Sequence, residues 1–167
     1  MRVSVSQSVE VPTAEVMAAY GTPSFYEDRA TRDDIAVLGV VDHEVTGSGS
    51  RVVIEVHYAF QGSVSSAVRR VIDPAKMSWI TRTEIHGDET RATWEVLPDY
   101  YPDRLRANGT FRFEPGPSTP SSTLVSVEGD LKVSVPIVGR SVERVIVSGL
   151  HRYIQSEVES IPDFVAG

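Results

Sequence analysis

The sequence predicts a single α+β domain in which a long C-terminal helix covers one face of an antiparallel sheet. Seven segments show the two-residue alternation of half-buried strands. After Pro136 the apolar residues recur at intervals of three and four, which is the period of an amphipathic helix. A chain of 167 residues suits one domain, residues 1–167, and is long enough to bury a sizeable core.

The N-terminal segments predict one strand followed by two short helices. Valines alternate with serines over residues 2–10, which indicates the first strand. A helix start follows at Pro12, and residues 15–20 contain no helix breaker. A second short helix is predicted over residues 23–33, because Ser24 and the acidic residues of this segment suit a helix N-terminus.

The middle of the chain is predicted to be largely extended. Residues 35–60 are rich in β-branched side chains and are interrupted only by the turn-forming segment 46–50, so they predict a hairpin. Residues 62–73 fit either a helix or an extended chain, and a short helix or turn before Pro74 is the preferred interpretation. The remaining strands are predicted at residues 76–86, 90–97, 104–114 and 123–135.

The last predicted element is the longest. Residues 137–161 carry an apolar stripe, and at about 1.5 Å per residue such a helix is roughly 37 Å long, enough to cross the sheet. Pro162 is predicted to end it, because proline lacks the backbone N–H that a helix needs.

The composition excludes several classes of function. Sixteen Lys and Arg against 23 Asp and Glu give a formal net charge of −7, which disfavours binding to nucleic acid and to anionic membranes. The absence of cysteine excludes disulfides, thiolate metal sites and thiol nucleophiles, and it suits a reducing compartment. No apolar run is long enough for a secretory signal or a membrane span. We therefore expect a cytoplasmic protein without stable membrane insertion.

The junction between the last strand and the helix carries a family resemblance. Residues 131–143, LKVSVPIVGRSVE, resemble the same junction in a largely actinobacterial family catalogued as domain of unknown function 2505. That family is a branch of the START-like (SRPBCC) superfamily, which also includes the plant pollen allergens. The resemblance implies a helix-grip fold, in which a curved seven-stranded antiparallel sheet wraps around the C-terminal helix and two short helices lie between strands one and two. It implies no active site, because the family has no agreed catalytic motif.

A helix-grip fold can enclose a cavity between sheet and helix, and the apolar faces predict which residues would line it. Inward-facing aromatic side chains can equally fill a core, so an open cavity and a packed interior are both left open. The candidate ligand-binding residues are Val56, Tyr58, Phe60, Trp79, Thr81, Trp94, Phe111, Phe113, Leu131, Val133, Glu143, Ile146, Leu150, Tyr153 and Ile154.

Two carboxylates fall on the apolar side of the predicted helix. Glu143 could anchor a ligand hydroxyl or amine, or act as a general acid or base with a pKa raised by desolvation. Alternatively, it accepts hydrogen bonds from unpaired backbone N–H groups near the helix start or pairs with a basic residue of the sheet. Glu157 lies near the predicted helix end, where we expect solvent to reach it.

Other polar residues give weaker signals. The four histidines lack metal-ligand spacing and no nucleotide-binding motif is present, so neither a metal nor a cofactor is predicted. His57 and His86 are expected at the solvated surface. Residues 99–103, DYYPD, form either an acid/base pair at a cavity mouth or a hydrated turn.

These observations lead to one main hypothesis and two alternatives. The main one is a protein that binds a small hydrophobic, lipid-like or polyketide-like molecule, for transport or sequestration. The first alternative is an enzyme resembling polyketide cyclases and aromatases, with Glu143, Tyr58 and Tyr153 as the first residues to test. The second is a structural or chaperone-associated module with a filled core.

Overall fold

The computed structural model describes residues 1–29, 31–32 and 34–167, which form one antiparallel sheet and four helices. The strands are β1 (Arg2–Val9), β2 (Thr31–Arg32), β3 (Ile35–Thr46), β4 (Arg51–Phe60), β5 (Ser78–His86), β6 (Arg91–Pro98), β7 (Leu105–Pro115) and β8 (Thr123–Val133). The helices are α1 (Thr13–Tyr20), α2 (Pro23–Glu27), α3 (Ser66–Arg69) and α4 (Gly139–Ala166).

The sheet has the order β1-β8-β7-β6-β5-β4-β3-β2, and all neighbouring strands are antiparallel. The first strand therefore lies beside the last, and the other strands follow one another through hairpins. β2 has two residues and pairs only with the start of β3. The seven long strands and the C-terminal helix confirm the predicted architecture, to which the structure adds β2.

β3 gives the sheet part of its curvature. Its register against β4 shifts between Val37 and Gly39 and again between Val40 and Asp42. Such bulges bend a strand and increase its twist. Gly39 has a φ of +151°, a backbone conformation that residues other than glycine rarely adopt.

Three predicted boundaries need correction. The second helix ends at Glu27 rather than Asp33, because the chain turns and then forms β2; residues 30 and 33 of the predicted helix lie outside the described residues. β8 ends at Val133 rather than residue 135, since the chain already turns before Pro136 into α4.

The third correction concerns the C-terminal helix, which starts at Gly139 and continues through Pro162 to Ala166. Pro162 removes one helical hydrogen bond, but tertiary packing holds the last turn in place. Ile161 is fully buried, and the ring of Phe164 packs edge-on against Phe25 with 5.1 Å between centroids.

The distance between α4 and the sheet differs from strand to strand. α4 approaches β1 and β8 most closely, and α1 packs beside it. From β4 to β7 the strand backbones lie further from the helix. This separation leaves space between α4 and the middle of the sheet. Within the described residues, no helix is both long and apolar enough to cross a lipid bilayer.

Candidate ligand-binding site

Two neighbouring cavities occupy the space between α4 and the sheet. We name them the outer chamber, around Phe60, Met77, Leu105 and Ile146, and the inner chamber, around Tyr20, Tyr58, Trp94, Phe111 and Tyr153. Their volumes are about 90 Å³ and about 80 Å³. One water molecule needs roughly 10–15 Å³ on this measure. Each chamber therefore has room for several water molecules or for part of a larger ligand.

Four side chains border both chambers and so lie at the boundary between them: Ile35, Trp79, Val96 and Leu150. The ring of Trp79 stacks on Tyr58 with 5.9 Å between centroids and 22° between planes. Tyr58 in turn meets Tyr153 of α4 edge-on at 5.7 Å. Three aromatic rings thus follow one another from the boundary between the chambers, at Trp79, into the inner chamber.

The outer chamber has apolar walls and a charged rim. Lys76 and Arg104 are exposed at this rim, and each places its cation 5.7 Å from a tyrosine ring, Tyr100 and Tyr101 respectively. The outer chamber is therefore the one nearest to solvent, and its rim is cationic in a chain of net charge −7.

Two glycines make room for an aromatic wall of the inner chamber. Gly109 pairs with Trp94 across β6 and β7, and Gly129 pairs with Gly109 across β7 and β8. A Cβ at either glycine would come within 3 Å of the Trp94 ring. The indole therefore lies over bare backbone, which brings it down onto the sheet.

A buried ion pair forms the polar end of the inner chamber. Glu157 of α4 lines this chamber and is 4% exposed, and its Oε2 lies 3.5 Å from Nη1 of Arg29. Arg29 Nη1 also donates to Ser160 Oγ at 3.2 Å. The guanidinium lies 5.1 Å from the ring centre of Tyr153 and 5.3 Å from that of Phe25. The pair therefore ties the segment after α2 to the C-terminal helix.

Several buried donors near this end have no hydrogen-bond partner among the described residues. They are Tyr20 Oη, Tyr153 Oη, Trp94 Nε1 and the Nε and Nη2 atoms of Arg29. The hydroxyl of Tyr26 differs, since it donates to the Tyr20 carbonyl oxygen at 2.8 Å. Most buried polar groups in proteins are paired, so this group of unpaired donors is a functional signal.

Burial also changes the acidity of these side chains. It raises the pKa of Glu157, and the neighbouring Arg29 opposes this rise without cancelling it. Burial likewise raises the pKa of Tyr20, Tyr58 and Tyr153 above the usual phenol value, and the carboxylate of Glu157 adds to the rise. The tyrosines therefore keep their hydroxyl protons and act as donors at neutral pH.

Thirteen of the fifteen candidate residues line one chamber or both. Those of the outer chamber are Phe60, Trp79, Leu131, Val133, Ile146 and Leu150. Those of the inner chamber are Val56, Tyr58, Trp79, Thr81, Trp94, Phe111, Leu150, Tyr153 and Ile154. Phe113 lines neither chamber; it is 1% exposed and stacks on Phe111 with 6.0 Å between centroids.

Glu143 also lies outside both chambers. Its Oε1 accepts a hydrogen bond from the backbone N–H of Val133 at 2.9 Å, at the end of β8. The contact ties the start of α4 to the last strand. It corresponds to the interpretation of Glu143 as an acceptor for an unpaired backbone N–H group.

The sequence interpretation missed the polar end of the inner chamber. Glu157 was expected to be solvated, but α4 continues beyond Pro162, so Glu157 is not at a frayed end and is buried. Tyr20 at the end of α1 and Tyr26 in α2 line the chamber, and Arg29 after α2 pairs with Glu157; no such role was inferred for them. The available signal was the position of Glu157 on the apolar side of the helix, which calls for a buried partner.

The DYYPD segment lies at the outer chamber, where Tyr100 and Tyr101 form part of the lining. Asp99 Oδ2 accepts hydrogen bonds from Ser78 Oγ and from His57 Nε2, both at 2.5 Å. Partial burial works to raise the pKa of Asp99, but these two hydrogen bonds outweigh it and the pKa lies below its ordinary value. His57, expected at the surface, is thus partly buried against Asp99.

No metal site is apparent in this region. Among residues 1–29, 31–32 and 34–167, no group of three or more His, Asp or Glu side chains is placed to hold a metal ion. The lining of the two chambers is largely apolar, with a cluster of hydrogen-bond donors at the inner end.

A curved antiparallel sheet, a long C-terminal helix across it and a cavity between them define a helix-grip fold, the fold of START-like proteins. The chain belongs to the family described as "Protein of unknown function (DUF2505)", whose model matches residues 4–165. No curated protein matches the chain.

Solved structures of distant relatives have the same fold. A Thermus thermophilus protein is 16% identical with a TM-score of 0.66, over 99% of this chain and 97% of that one. The Zhui aromatase/cyclase of a Streptomyces species is 11% identical with a TM-score of 0.65, over 97% and 93%. A START superfamily protein of Mycobacterium smegmatis is 15% identical with a TM-score of 0.60, over 98% of both chains. At such identities the similarity establishes the fold alone.

Proposed function

We propose that this protein binds a small, largely apolar molecule of lipid-like or polyketide-like character in the outer and inner chambers, for transport or sequestration. The observation that carries the proposal is the pair of adjoining cavities between α4 and the sheet, bordered jointly by Ile35, Trp79, Val96 and Leu150. Protein interiors are normally packed to the density of organic crystals. Two neighbouring apolar spaces in the centre of a small domain are therefore best explained by a ligand that fills them.

The order of the two chambers supports a defined entry route. The outer chamber carries the exposed rim residues, and the inner chamber ends at the buried Glu157, which pairs with Arg29. A ligand would enter past Tyr100 and extend past Trp79 into the inner chamber. The absence of cysteine suits work in the reducing cytoplasm, where we place this function.

Binding can be measured with the two native tryptophans. Trp79 borders both chambers, Trp94 borders the inner one, and the chain contains no other tryptophan. A panel of fatty acids and aromatic polyketides is titrated while tryptophan emission is recorded. Trp79→Phe and Trp94→Phe variants assign the signal to a chamber.

We expect saturable changes in emission for at least one panel member, and we expect Trp79→Phe to remove most of the response to a ligand that occupies the outer chamber. A panel without any saturable binding would contradict the proposal. So would a molecule that binds by calorimetry but leaves the emission of both tryptophans unchanged, because it would then lie away from both chambers.

One observation favours a second candidate function, an enzyme that uses the same space. Burial raises the pKa of Glu157, which borders the inner chamber next to Tyr153, and a carboxyl group with a raised pKa in a cavity is a candidate general acid or base. Structures with this fold include proteins named aromatase/cyclase and norcoclaurine synthase.

The enzyme candidate is tested by incubating each bound panel member with the protein and following its mass and chromatographic retention. If the protein is an enzyme, a new product forms with wild type and forms at least tenfold more slowly with Glu157→Gln. Recovery of every bound compound unchanged would leave binding as the function. The third candidate, a module with a filled core, is disfavoured by the two chambers.

A further inference from the structure

The inner chamber contains more hydrogen-bond donors than its own side chains can satisfy. Tyr20, Trp94 and Tyr153 all line this chamber, all are less than 8% exposed, and each holds a polar atom without a partner among the described residues. Trp94 Nε1 can only donate a hydrogen bond. The two hydroxyls keep their protons, because burial raises their pKa values.

Two of the acceptors nearby are engaged. Oε2 of Glu157 faces Nη1 of Arg29, and the carbonyl oxygen of Tyr20 accepts the hydroxyl of Tyr26. The hydroxyls of Tyr20 and Tyr153 lie near enough to Glu157 to lower its pKa, but neither reaches hydrogen-bonding geometry with the carboxylate. Arg29 itself holds two further unpaired donor atoms behind Tyr153. Oε1 of Glu157 remains as a nearby acceptor, but it cannot serve all five unpaired donor atoms. Donors are therefore in excess, and an acceptor from outside the chain would satisfy them.

The electrostatic balance restricts the charge of that acceptor. The guanidinium of Arg29 and the carboxylate of Glu157 compensate each other, both at 5% side-chain exposure. A fully charged ligand group placed beside them would be desolvated without an opposite charge of its own. A neutral oxygen avoids this cost and still accepts hydrogen bonds from the tyrosines and the indole.

The walls restrict the shape of the ligand. Tyr58 and Trp79 stack at 22° between planes, and Tyr153 meets Tyr58 edge-on. Aromatic faces of this kind favour a planar ring over a flexible chain, because rings stack at low conformational cost. A simple alkyl tail would also leave the unpaired donors unsatisfied.

From these observations we propose that the inner chamber receives the acceptor-bearing end of a planar ring compound that extends into the outer chamber, the acceptor being a neutral oxygen of the ketone or quinone type, with Tyr20, Tyr153 and Trp94 as its hydrogen-bond donors. This inference rests on the proposed ligand-binding function and narrows it to oxygenated ring compounds rather than saturated lipid chains. Glu157 and Arg29 form the buried ion pair that lies next to these three donors.

The test compares two probes of equal size, 1-tetralone and its hydrocarbon counterpart tetralin. Affinities for both are measured by isothermal titration calorimetry on wild type, Tyr20→Phe and Tyr153→Phe. Each substitution removes only a hydroxyl, and thermal unfolding checks that each variant is folded. Tetralin serves as the matched control, since it fills the same space without offering an acceptor.

We expect wild type to bind 1-tetralone more tightly than tetralin by about two- to tenfold for each hydrogen bond formed. Each tyrosine variant should lose about two- to tenfold in affinity for the ketone and change by less than twofold toward tetralin. Equal affinities for the two probes, unchanged by the substitutions, would overturn this inference and show that water satisfies the donors, while ligand binding itself would stand. Failure of both probes to bind would also overturn this inference, while the proposed function would still be decided by the panel titration.

Discussion

Gly149 offers a direct way to fill the outer chamber without disturbing the fold. It lies in the interior of α4 and lines the outer chamber, and a Cβ built there meets no atom within 4 Å. Glycine inside a helix costs roughly 0.5–1 kcal/mol relative to alanine. The space opposite Gly149 is therefore kept empty at the expense of stability, as expected where a ligand must fit.

The magnitudes follow from helix propensity and cavity volume. Gly149→Ala should raise the free energy of unfolding by about 0.5–1 kcal/mol, which corresponds to about 1–4 °C in Tm for a chain of this length. Gly149→Leu adds three carbons beyond that Cβ, and burying them in a chamber of about 90 Å³ contributes at most about 2.4 kcal/mol more at roughly 0.8 kcal/mol per carbon. The same side chain should weaken binding of the tightest panel member at least tenfold.

The assay combines urea unfolding, thermal unfolding and calorimetric titration on the same preparations. Gly139→Ala is the matched control, because a Cβ at that helix position would lie 2.7 Å from the carbonyl oxygen of Val133. This control should destabilise the protein, although it also replaces a helical glycine. A lowered Tm for Gly149→Leu, or unchanged ligand affinity, would refute the reasoning, since either result means that no open chamber faces Gly149.

The remaining predictions concern hydrogen bonds and pH. Glu143→Ala should lower the free energy of unfolding, measured with urea, by about 1–3 kcal/mol, because the buried N–H of Val133 loses its acceptor. A decrease below about 0.5 kcal/mol would contradict this role. Tyr26→Phe should lower Tm by removing a paired hydroxyl, whereas Tyr20→Phe should leave Tm equal or higher, and a reversed order would contradict the assignment of donors. Asp99 has a lowered pKa in the folded protein, so its contribution to stability is present above the ordinary value of 3.8 and is lost as pH falls through the folded value. The stability difference between wild type and Asp99→Asn should therefore shrink below about pH 4, and a difference that grows on acidification would contradict the hydrogen bonds to Ser78 and His57.

Much of the fold could be predicted because each element is locally consistent. The valine–serine alternation of β1 is found as alternating burial, with Val3, Val5 and Val9 inside. The apolar stripe of α4 places Val142, Val158 and Ile161 in the core. Both patterns follow from the periods of strand and helix alone.

The boundary errors arise where tertiary contacts override a local rule. Pro162 normally ends a helix, yet α4 continues because Phe164 packs on Phe25, a residue 139 positions earlier in the chain. No local pattern contains that contact. The short β2 likewise owes its existence to pairing with β3 rather than to its own two residues.

The lining of the two chambers was predictable on its apolar side and not on its polar side. Strand alternation identifies which side chains face the helix, and thirteen of the candidates indeed line a chamber. Periodicity does not tell whether facing side chains leave a space, because that depends on how far α4 lies from β4–β7. The partner of Glu157 is Arg29, which comes from a turn distant in sequence, so only the folded chain brings the two together.

The central claim is that the space between α4 and the middle of the sheet is open and holds a ligand. The most direct measurement is a crystal structure of the protein with the tightest-binding panel compound. We predict electron density for the compound beside Trp79 and Leu150, extending from the outer chamber toward Tyr153. Density on the outer face of the sheet, or side chains packed solidly across both chambers, would contradict the account.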